Sequence, residues 1–364
     1  AADALGWHWW PADIAVAMRD GDGRGRCNHC GPCELYCPHR AKGSADVTYW
    51  PAALRAGAQV VTQARVFAIE TDAQGRATGA AYYDAHGAAR RMTADAVVVA
   101  ANGVGTARLL LLSRSGRFPD GLANSSGLVG RNFMLHPLAR VTGVFADPVG
   151  GHRGIAAGAM TSMEFYETDA ARGFVRGCKL HVLRSHGPAF VARGSTAGRI
   201  PWGRAHHRRF AEVFDRTLSV SICADDLPEL DNRVALHDTL ADANGIPAPR
   251  MIYRVSENSR RILDFGIAKA RALLAAAGAV EMVEVQLIAD AGFHLMGTAH
   301  MGGNPATAVV DGHGRAHDVP NLFVVDGSTF VTAAAVNPTP TLQALALRTA
   351  DHIAATRRNA APPH

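Results

Sequence analysis

Two segments of the chain repeat apolar residues at the three- and four-residue spacing of an amphipathic helix, and each predicts a long helix. In "SENSRRILDFGIAKARALLAAAG" the apolar stripe consists of Leu263, Ile267, Ala270 and Leu274. Ser256 can cap this helix and Gly278 can end it, because these residue types favour helix N- and C-termini. In "NPTPTLQALALRTADHIAA" the stripe consists of Leu342, Ala346, Thr349 and Ile353. Both prolines stand before or within the first turn, where a missing N–H costs little.

Shorter apolar runs predict strands. "VVTQARVFAIET" alternates apolar and polar residues, and "GAAYYD" follows it. "DAVVVAAN" suits a strand buried on both faces, and a helix, "GTARLLLLSRSG", comes directly after it. "NLFVVDGS" is a second buried strand, which stops at a turn, and residues 141–255 are Gly-rich with short runs typical of an antiparallel sheet with long connections. This order of elements predicts an α/β fold that is α+β in part.

Composition narrows the class of protein. The chain has 364 residues, 48% of them hydrophobic, which is enough to bury a sizeable core. The net charge of +5 is scattered, so we expect the densest basic run, His206 to Arg209, to be a solvated surface loop and the protein not to bind nucleic acid. No run of about 18 apolar residues predicts a membrane span, and the N-terminus lacks the pattern of a secretory signal. A cytoplasmic and a periplasmic location both stay open.

Four of the six cysteines fall within "CNHCGPCELYCPHRAK", residues 27–42. These four are Cys27, Cys30, Cys33 and Cys37. Their spacing, with a proline directly after the last, is that of a bacterial ferredoxin run. Zinc usually takes two separated pairs of ligands, so the tight packing favours an iron–sulfur cluster over zinc, with structural or free thiols as the third alternative. Cys178 and Cys223 stand alone and are predicted to be buried as small hydrophobic residues.

Two short motifs near the C-terminus contain candidate catalytic residues. In "FHLMGTAHMG", residues 293–302, His294 could accept the hydroxyl proton of an alcohol while a hydride leaves its carbon. In "VNPTPT", residues 336–341, Asn337 stands at a helix start, where unpaired N–H groups and the helix dipole favour negative charge. Asn337 could also hold the same hydroxyl by a hydrogen bond. Each motif taken singly has a plain structural explanation as well, namely a buried histidine and an ordinary Asn-Pro helix start.

Several ordered motifs together resemble the glucose–methanol–choline (GMC) oxidoreductase family. Its C-terminal signature resembles "HLMGTAHMG", "VVDGHGRAHDVPNLFVVDGS" and "VNPTPTLQALALRTADHI". Upstream, "AKGSADVTYWPAALRAGAQVVTQARV", "VVVAANGVGTARLLLLSRS" and "NSSGLVGRNFMLHP" agree with the same family. The likeness runs from about Cys27 to the end. Within the family it is greatest to bacterial gluconate, sorbitol and glucoside dehydrogenases and pyranose oxidases.

The resemblance implies a GMC-type FAD-binding three-layer fold with an antiparallel-sheet substrate domain. The implied reaction is oxidation of a sugar or alcohol CH–OH group to a carbonyl by hydride transfer to flavin N5, with His294 as base and Asn337 as its partner. The implied cofactor contacts are Val66 at the adenine, Ala101, Asn102 and Gly103 along the cofactor, Asp326 and Gly327 at the ribityl–pyrophosphate portion, and Pro338 and Thr339 at the C2=O edge. Many relatives have glycine in place of Asn102, and His300 stands where they often carry arginine.

The resemblance also bears on the cysteines. Among gluconate- and glucose-dehydrogenase relatives, the pattern formed here by Cys27, Cys33 and Cys37 resembles the ligand set of a three-iron cluster, and Cys30 is the fourth thiol of the run. Such a cluster passes electrons from the flavin to an external acceptor. Whether the acceptor of this chain is a quinone, a cytochrome or O2 stays open. Other relatives carry a Cys-rich segment that need not bind metal, so an iron–sulfur cluster and free thiols both stay open.

One expected feature is missing. Family members begin with a strand–Gly-x-Gly-x-x-Gly–helix unit that cradles the FAD pyrophosphate, and no such motif occurs in the sequence. We therefore expect an N-terminally truncated chain whose own affinity for FAD is an open question. The expected division is a Cys-rich loop segment at 1–45, part of the FAD-binding domain at 46–140, the substrate-binding domain at 141–284 and the C-terminal part of the FAD-binding domain at 285–364. An iron–sulfur electron-transfer module and an inactive fragment are the alternative functions.

Overall fold

The computed structural model describes residues 1–31, 33, 35–155, 158–184, 187–194 and 200–360. The helices in this part of the chain are α1 (Tyr49–Arg55), α2 (Asn102–Leu112), α3 (Pro188–Ala192), α4 (Arg204–Val213), α5 (Glu257–Ala276) and α6 (Thr339–Ala360). The strands are β1 (Trp10–Pro11), β2 (Arg65–Thr71), β3 (Ala77–Tyr83), β4 (Ala89–Thr93), β5 (Val97–Val99), β6 (Leu138–Val144), β7 (Met160–Ser162), β8 (Cys178–Arg184), β9 (Thr217–Ala224), β10 (Arg233–Ala241), β11 (Pro247–Ile252), β12 (Glu281–Val285) and β13 (Leu322–Val324). A short 3₁₀ turn, Gly327–Thr329, follows β13.

The chain folds into two compact units, each built from three separate stretches. Unit 1 comprises residues 1–60, 137–225 and 257–291. Unit 2 comprises residues 61–136, 226–256 and 292–364. Residues 226–256, which the sequence places in the substrate-binding domain, therefore belong to the same unit as both C-terminal motifs.

Unit 1 is built on a six-stranded antiparallel sheet in the order β1–β7–β8–β9–β6–β12. β6 and β9 pair in register from Leu138 opposite Cys223 to Val144 opposite Thr217. The buried face of α5 shares one hydrophobic core with β6, β8 and β9. Gly266 permits this close packing, because a Cβ built there would lie 2.4 Å from the Cγ2 of Ile222. The predicted antiparallel sheet is confirmed, and β1 and β12 extend it beyond residues 141–255.

Unit 2 contains smaller sheets. β2, β3 and β4 form an antiparallel meander, β10 and β11 form a hairpin, and β5 pairs with β13 in parallel, with Val98 opposite Phe323. The Asn321 side chain fixes the start of β13, since it donates to the carbonyls of Ala77 and Asp95 at 2.7 and 2.8 Å. The carboxyl ends of β5 and β13 lead into α2 and the 3₁₀ turn. In open α/β sheets, ligands bind beyond the carboxyl ends of parallel strands.

The two long predicted helices are confirmed. α5 begins directly after Ser256, and Gly278 has φ +87°, with the N–H of Ala279 donating to the carbonyl of Leu274 at 3.0 Å. This left-handed glycine closes the helix in the manner of a Schellman cap. α6 begins between the two prolines of "NPTPT". The helix that follows β5 begins at Asn102, three residues before the predicted start at Gly105.

The structure corrects two predictions. The basic run His206 to Arg209 is not a loop but lies in α4, where Arg209 forms an ion pair with Glu212 at 3.4 Å one turn away. β5 is not buried on both faces: Val99 is buried, but Val98 is 48% exposed, because alternate side chains of a strand point to opposite faces.

The prediction for the two lone cysteines holds. Cys178 and Cys223 are both buried, and burial raises the pKa of each thiol to about 12. None of the helices in the described part of the chain combines the length and apolar character that a membrane crossing requires.

Candidate active site

His294 is positioned by a short antiparallel pairing within unit 2. Met134 and Met296 exchange two backbone hydrogen bonds, both 3.0 Å, and both side chains are fully buried. In an antiparallel pair, the residues two positions along one chain and two positions back along the other also lie opposite each other. This register sets His136 opposite His294.

The two imidazoles contact each other directly. The Nδ1 atoms of His136 and His294 are 2.8 Å apart, and the rings meet edge to face with their centroids 4.8 Å apart. On its other side, His136 Nε2 lies 3.2 Å from the backbone carbonyl oxygen of Ala333. His136 is only 3% exposed, whereas His294 is partly exposed. A buried histidine therefore holds a more accessible one by a hydrogen bond.

The second catalytic candidate is on the segment that His136 contacts. Ala333 packs with Met134, Met296 and Phe330 in a small buried cluster. Asn337 follows four residues later and is exposed, two residues before the start of α6. The first N–H groups of a helix lack partners within it and carry the positive end of the dipole. This end of α6 therefore suits a group that gains negative charge.

The segments predicted to line the cofactor are held together by close contacts. A Cβ built at Gly103 would lie 2.7 Å from the carbonyl carbon of Leu295, so only glycine fits there without displacement. The hydroxyl of Thr298 donates to the Gly103 carbonyl at 2.5 Å. The first turn of α2 thus packs directly on the strand-like segment that bears His294.

Asp326 is tied into the same framework. One carboxylate oxygen accepts a 2.5 Å hydrogen bond from Thr106 Oγ1, and the other accepts from the Ser328 N–H at 2.9 Å. Asp326 and Gly327 are both buried. The structure therefore gives Asp326 an anchoring role between α2 and the 3₁₀ turn.

Asn102 adopts a left-handed conformation with φ +65°. Its side-chain oxygen accepts from the N–H groups of Val104 and Gly105 at 3.0 and 3.1 Å. The side chain therefore occupies N–H groups that the N-terminus of α2 would otherwise offer to an anion.

Unit 2 leaves several large apolar side chains exposed. Val66 in β2 is 44% exposed, and Val98, Phe293 and Val331 are exposed as well. Phe293 adjoins His294, and Val331 lies between the 3₁₀ turn and Ala333. Large apolar side chains left uncovered on adjoining segments often mark a binding surface. Thr339, predicted at the C2=O edge, is exposed at the start of α6, and Pro338 is partly exposed.

Sequence reasoning missed three residues beside this site: His136, Asp226 and Tyr253. The Asp226 carboxylate accepts hydrogen bonds from the Leu135 N–H at 3.1 Å and from the Tyr253 hydroxyl at 2.8 Å. Burial, reinforced by the charge of Asp226, raises the pKa of the Tyr253 hydroxyl. His136 stands in the quoted stretch "NSSGLVGRNFMLHP", but nothing local in that stretch marks it as a partner of His294.

The cysteine run lies in a loop of unit 1 that is fastened by backbone contacts. Cys27 N–H donates to the Ala17 carbonyl at 2.9 Å, and the carbonyl of His29 accepts from the Gly154 N–H at 2.7 Å. Positions 32 and 34 of the run lie outside the described residues. A backbone hydrogen bond from Lys42, joined by others from Ala41 and His39, lowers the pKa of the Cys37 thiol.

The four cysteines of the run form no disulfide bonds. Within the described ranges, no group of three or more His, Cys, Asp or Glu side chains is arranged to hold a metal ion. The thiols as they stand therefore do not fit a three-ligand cluster site.

Comparison with known proteins decides the family. The GMC oxidoreductase N-terminal model matches residues 2–138, and the GMC oxidoreductase C-terminal model matches residues 228–346. The chain belongs to the GMC oxidoreductase family. The N-terminal match begins at residue 2, so the predicted loss of the N-terminal portion is not supported by it.

Curated GMC relatives align over nearly the whole chain. The 2-methyl-1,2-propanediol dehydrogenase of Mycolicibacterium austroafricanum is 42% identical over 96% of this chain and 64% of that protein. The fructose dehydrogenase large subunit of Gluconobacter japonicus is 34% identical over 96% and 63%. The paromamine 6'-oxidase of Streptomyces fradiae is 32% identical over 97% and 63%. The chain thus spans somewhat less than two thirds of the length of these relatives.

Solved structures support the GMC-type α/β fold. A formate oxidase of Aspergillus oryzae, described in a study of its FAD modification, superposes with a TM-score of 0.56 at 16% identity. The superposition covers 81% of this chain and 60% of that one. At this identity the likeness concerns the fold alone.

Proposed function

We propose that this GMC family member oxidises a CH–OH group of a sugar or small polyol to a carbonyl, with FAD as hydride acceptor and His294 as base. The observation that carries this proposal is the placement of His294. Its ring is partly exposed, held at 2.8 Å by His136, and His136 in turn bonds the segment that leads to Asn337 and the N-terminus of α6.

The names of the relatives support a hydroxyl-bearing substrate. They include a dehydrogenase of a diol, a dehydrogenase of fructose and an oxidase of paromamine. These names share the oxidation of small hydroxylated molecules and differ between dehydrogenase and oxidase. What the names share therefore favours alcohol oxidation. Experiment must identify the electron acceptor.

Each of the chain's own residues would have a separate role in the oxidation of the alcohol. His294 accepts the hydroxyl proton, which makes the alcohol oxygen electron-rich and helps the hydride leave the carbon. Asn337 holds that oxygen by a hydrogen bond. The N-terminal turn of α6 stabilises negative charge that develops nearby. FAD, when bound, supplies the hydride acceptor.

Binding of FAD would use the positions predicted from the family likeness. These are Val66, Ala101, Asn102, Gly103, Asp326, Gly327, Pro338 and Thr339. Val66 and Thr339 are exposed and available for direct contact, whereas Gly103 and Asp326 are buried and act through the backbone they hold in place. The half-exposed apolar side chains Val98 and Val331 provide surface that a planar ring would cover.

An electron-transfer module based on the cysteine run is the competing function. Its spacing supports an iron–sulfur cluster, but the thiols in the described part of the loop do not converge on a three-ligand site. We therefore assign no step to iron. Iron and acid-labile sulfide assays on the purified protein test this, and a stoichiometric amount of both would reinstate the cluster.

Flavin reduction gives the direct test of the proposed reaction. The purified protein with FAD is mixed anaerobically with 2-methyl-1,2-propanediol, fructose or a small panel of sugars, and the flavin absorbance is followed. We expect bleaching with at least one of them. His294→Ala should lower the reduction rate by about a hundredfold or more, because general-base catalysis contributes about that much.

A matched control is His317→Gln. His317 Nε2 bonds the carbonyl of Gly302 at 3.0 Å, and His317 is not among the residues assigned to the reaction. The flavin reduction rate of this variant should therefore stay within about a factor of two of the parent's rate. A protein that binds FAD but is bleached by no hydroxyl compound, or a His294→Ala variant with full activity, would overturn the proposal.

A further inference from the structure

The geometry points to His136 as a positioning residue that keeps the proton of His294 on Nδ1, so that Nε2 presents its lone pair to the substrate hydroxyl. This inference rests on the proposed function, because it concerns how the proposed base is made ready. It assigns a role to a residue that never touches the substrate.

The first step is the bond from His136 to Ala333. A backbone carbonyl oxygen can only accept a hydrogen bond. The 3.2 Å contact between it and His136 Nε2 therefore requires a proton on that nitrogen. His136 Nε2 is the donor.

The second step follows from the chemistry of neutral imidazole, which carries one N–H and one lone pair. With the proton on Nε2, His136 Nδ1 is an acceptor. The contact of 2.8 Å between the two Nδ1 atoms then requires His294 to donate. His294 carries its proton on Nδ1, and its Nε2 is left as the basic nitrogen.

The alternative is a doubly protonated His136, which would donate from both nitrogens and reverse the tautomer of His294. Burial disfavours it, because His136 is 97% shielded from solvent and a charged ring is costly there. The neutral ring is therefore the favoured state.

The hydrogen bond between His294 and His136 also stabilises His294 after it has accepted a proton. His294 Nε2 would accept the hydroxyl proton of the alcohol, and FAD, when bound, would supply the acceptor for the hydride that leaves the carbon. His294 is then a cation whose Nδ1–H still donates to the lone pair of His136. The hydrogen bond thus orients the base before the reaction and stabilises its charged form afterwards, as the partner of a catalytic histidine does in other enzymes.

Two variants of His136 distinguish orientation of the His294 ring from a role of the His136 side chain in packing alone. The side-chain oxygen of asparagine can take the place of Nδ1 and accept from His294. Glutamine reaches the place of Nε2 and can donate to Ala333, but it offers His294 no acceptor at the Nδ1 position. If His136 acts by positioning, His136→Gln should lower kcat about tenfold or more with little change in KM, and His136→Asn should lose distinctly less. Equal losses in both variants, or losses confined to KM, would contradict the inference.

A spectroscopic measurement tests the tautomer without any turnover. In protein labelled with ¹⁵N-histidine and kept free of substrate, the ring nitrogens of His294 are assigned by comparison with His294→Gln. We expect a protonated Nδ1 and an unprotonated Nε2 near neutral pH. A proton found on Nε2 would overturn the inference even if the protein oxidises alcohols. The expected tautomer in a protein without alcohol oxidation would instead mean that the proposed function has failed.

Discussion

The hydroxyl of Thr106 in α2 donates a 2.5 Å hydrogen bond to the buried carboxylate of Asp326. The two residues are 220 positions apart in the chain. This bond fastens α2, which follows β5, to the 3₁₀ turn that follows β13. Thr106 Oγ1 also accepts from the Ala101 N–H at 3.2 Å, so a single side chain joins both strand ends.

Replacing this hydroxyl should destabilise the protein. Thr106→Val keeps the shape of the side chain but leaves the Asp326 carboxylate with one donor fewer in a buried site. We expect the free energy of unfolding to fall by about 1–3 kcal/mol, the usual cost of stranding a buried polar group. Urea denaturation measures this, and Thr106→Ser, which keeps the hydroxyl, is the matched control. If the valine variant were as stable as the serine variant, the bond would have no structural value.

Gly103 and Gly105 form a second matched pair in α2. A Cβ at Gly103 would meet the backbone of Leu295 at 2.7 Å, whereas one at Gly105 would find its nearest neighbour, the Ala101 Cβ, at 3.3 Å. Gly103→Ala should therefore cost about 1–3 kcal/mol by overpacking and lower kcat, since Leu295 adjoins His294. Gly105→Ala should be much milder, because the better helix propensity of alanine offsets a small shift. Thermal unfolding and flavin reduction rates check both, and equal behaviour of the two variants would refute the close contact.

We expect His181 in β8 to make unit 1 sensitive to acid. Burial, with a contribution from the charge of Lys179, lowers the pKa of His181 from 6.5 to about 4. Between these values the unfolded chain binds more protons than the folded one, so stability rises with pH across this window and is fully present above about pH 6.5. The loss on acidification is at most about 3 kcal/mol.

The test compares urea midpoints at pH 7.5 and pH 4.5. His181→Gln should show a smaller difference between the two pH values than the parent protein. His207→Gln, on the exposed side of α4, should keep the parent's difference. A parent protein whose midpoint does not change over this range would contradict the assignment to His181.

Cys37 should be the most readily alkylated thiol of its loop. Hydrogen bonds from the backbone of Lys42, Ala41 and His39 lower the pKa of Cys37, so more of it is thiolate at neutral pH, and the thiolate is the nucleophile. Iodoacetamide at pH 7.5 followed by mass spectrometry gives the rate for each cysteine. Cys30, which is exposed, controls for accessibility. Faster labelling of Cys30 would count against this prediction, and protection of the whole run together with bound iron would indicate a metal site.

Local patterns of the sequence were sufficient to predict α2, α5, α6 and the main sheet, but not α4. α5 and α6 carry their stripes and end signals within their own residues, and β9 is one of the short apolar runs within residues 141–255. The basic run in α4 was misassigned because its charges suggested only exposure. The helix is stabilised instead by Arg209 and Glu212 and by the packing of Phe210 and Val213.

The candidate site was predictable only in part for a different reason. His294 and Asn337 could be predicted from the family likeness, because each lies in a motif of its own. His136 could not, because its role depends on the pairing of Met134 with Met296, which joins distant parts of the chain. The exposure of Val98 likewise depends on which elements cover β5, and no local pattern contains that information.

The interleaving of the two units has a consequence for biosynthesis. The chain passes from one unit to the other after residues 60, 136, 225, 256 and 291. Every stretch of unit 1 is therefore synthesised before the third stretch of unit 2 begins, and His136 is synthesised 158 residues before its partner His294. Because closing such a long loop delays contacts, the contact between His136 and His294 is expected to form late, after the antiparallel sheet has folded.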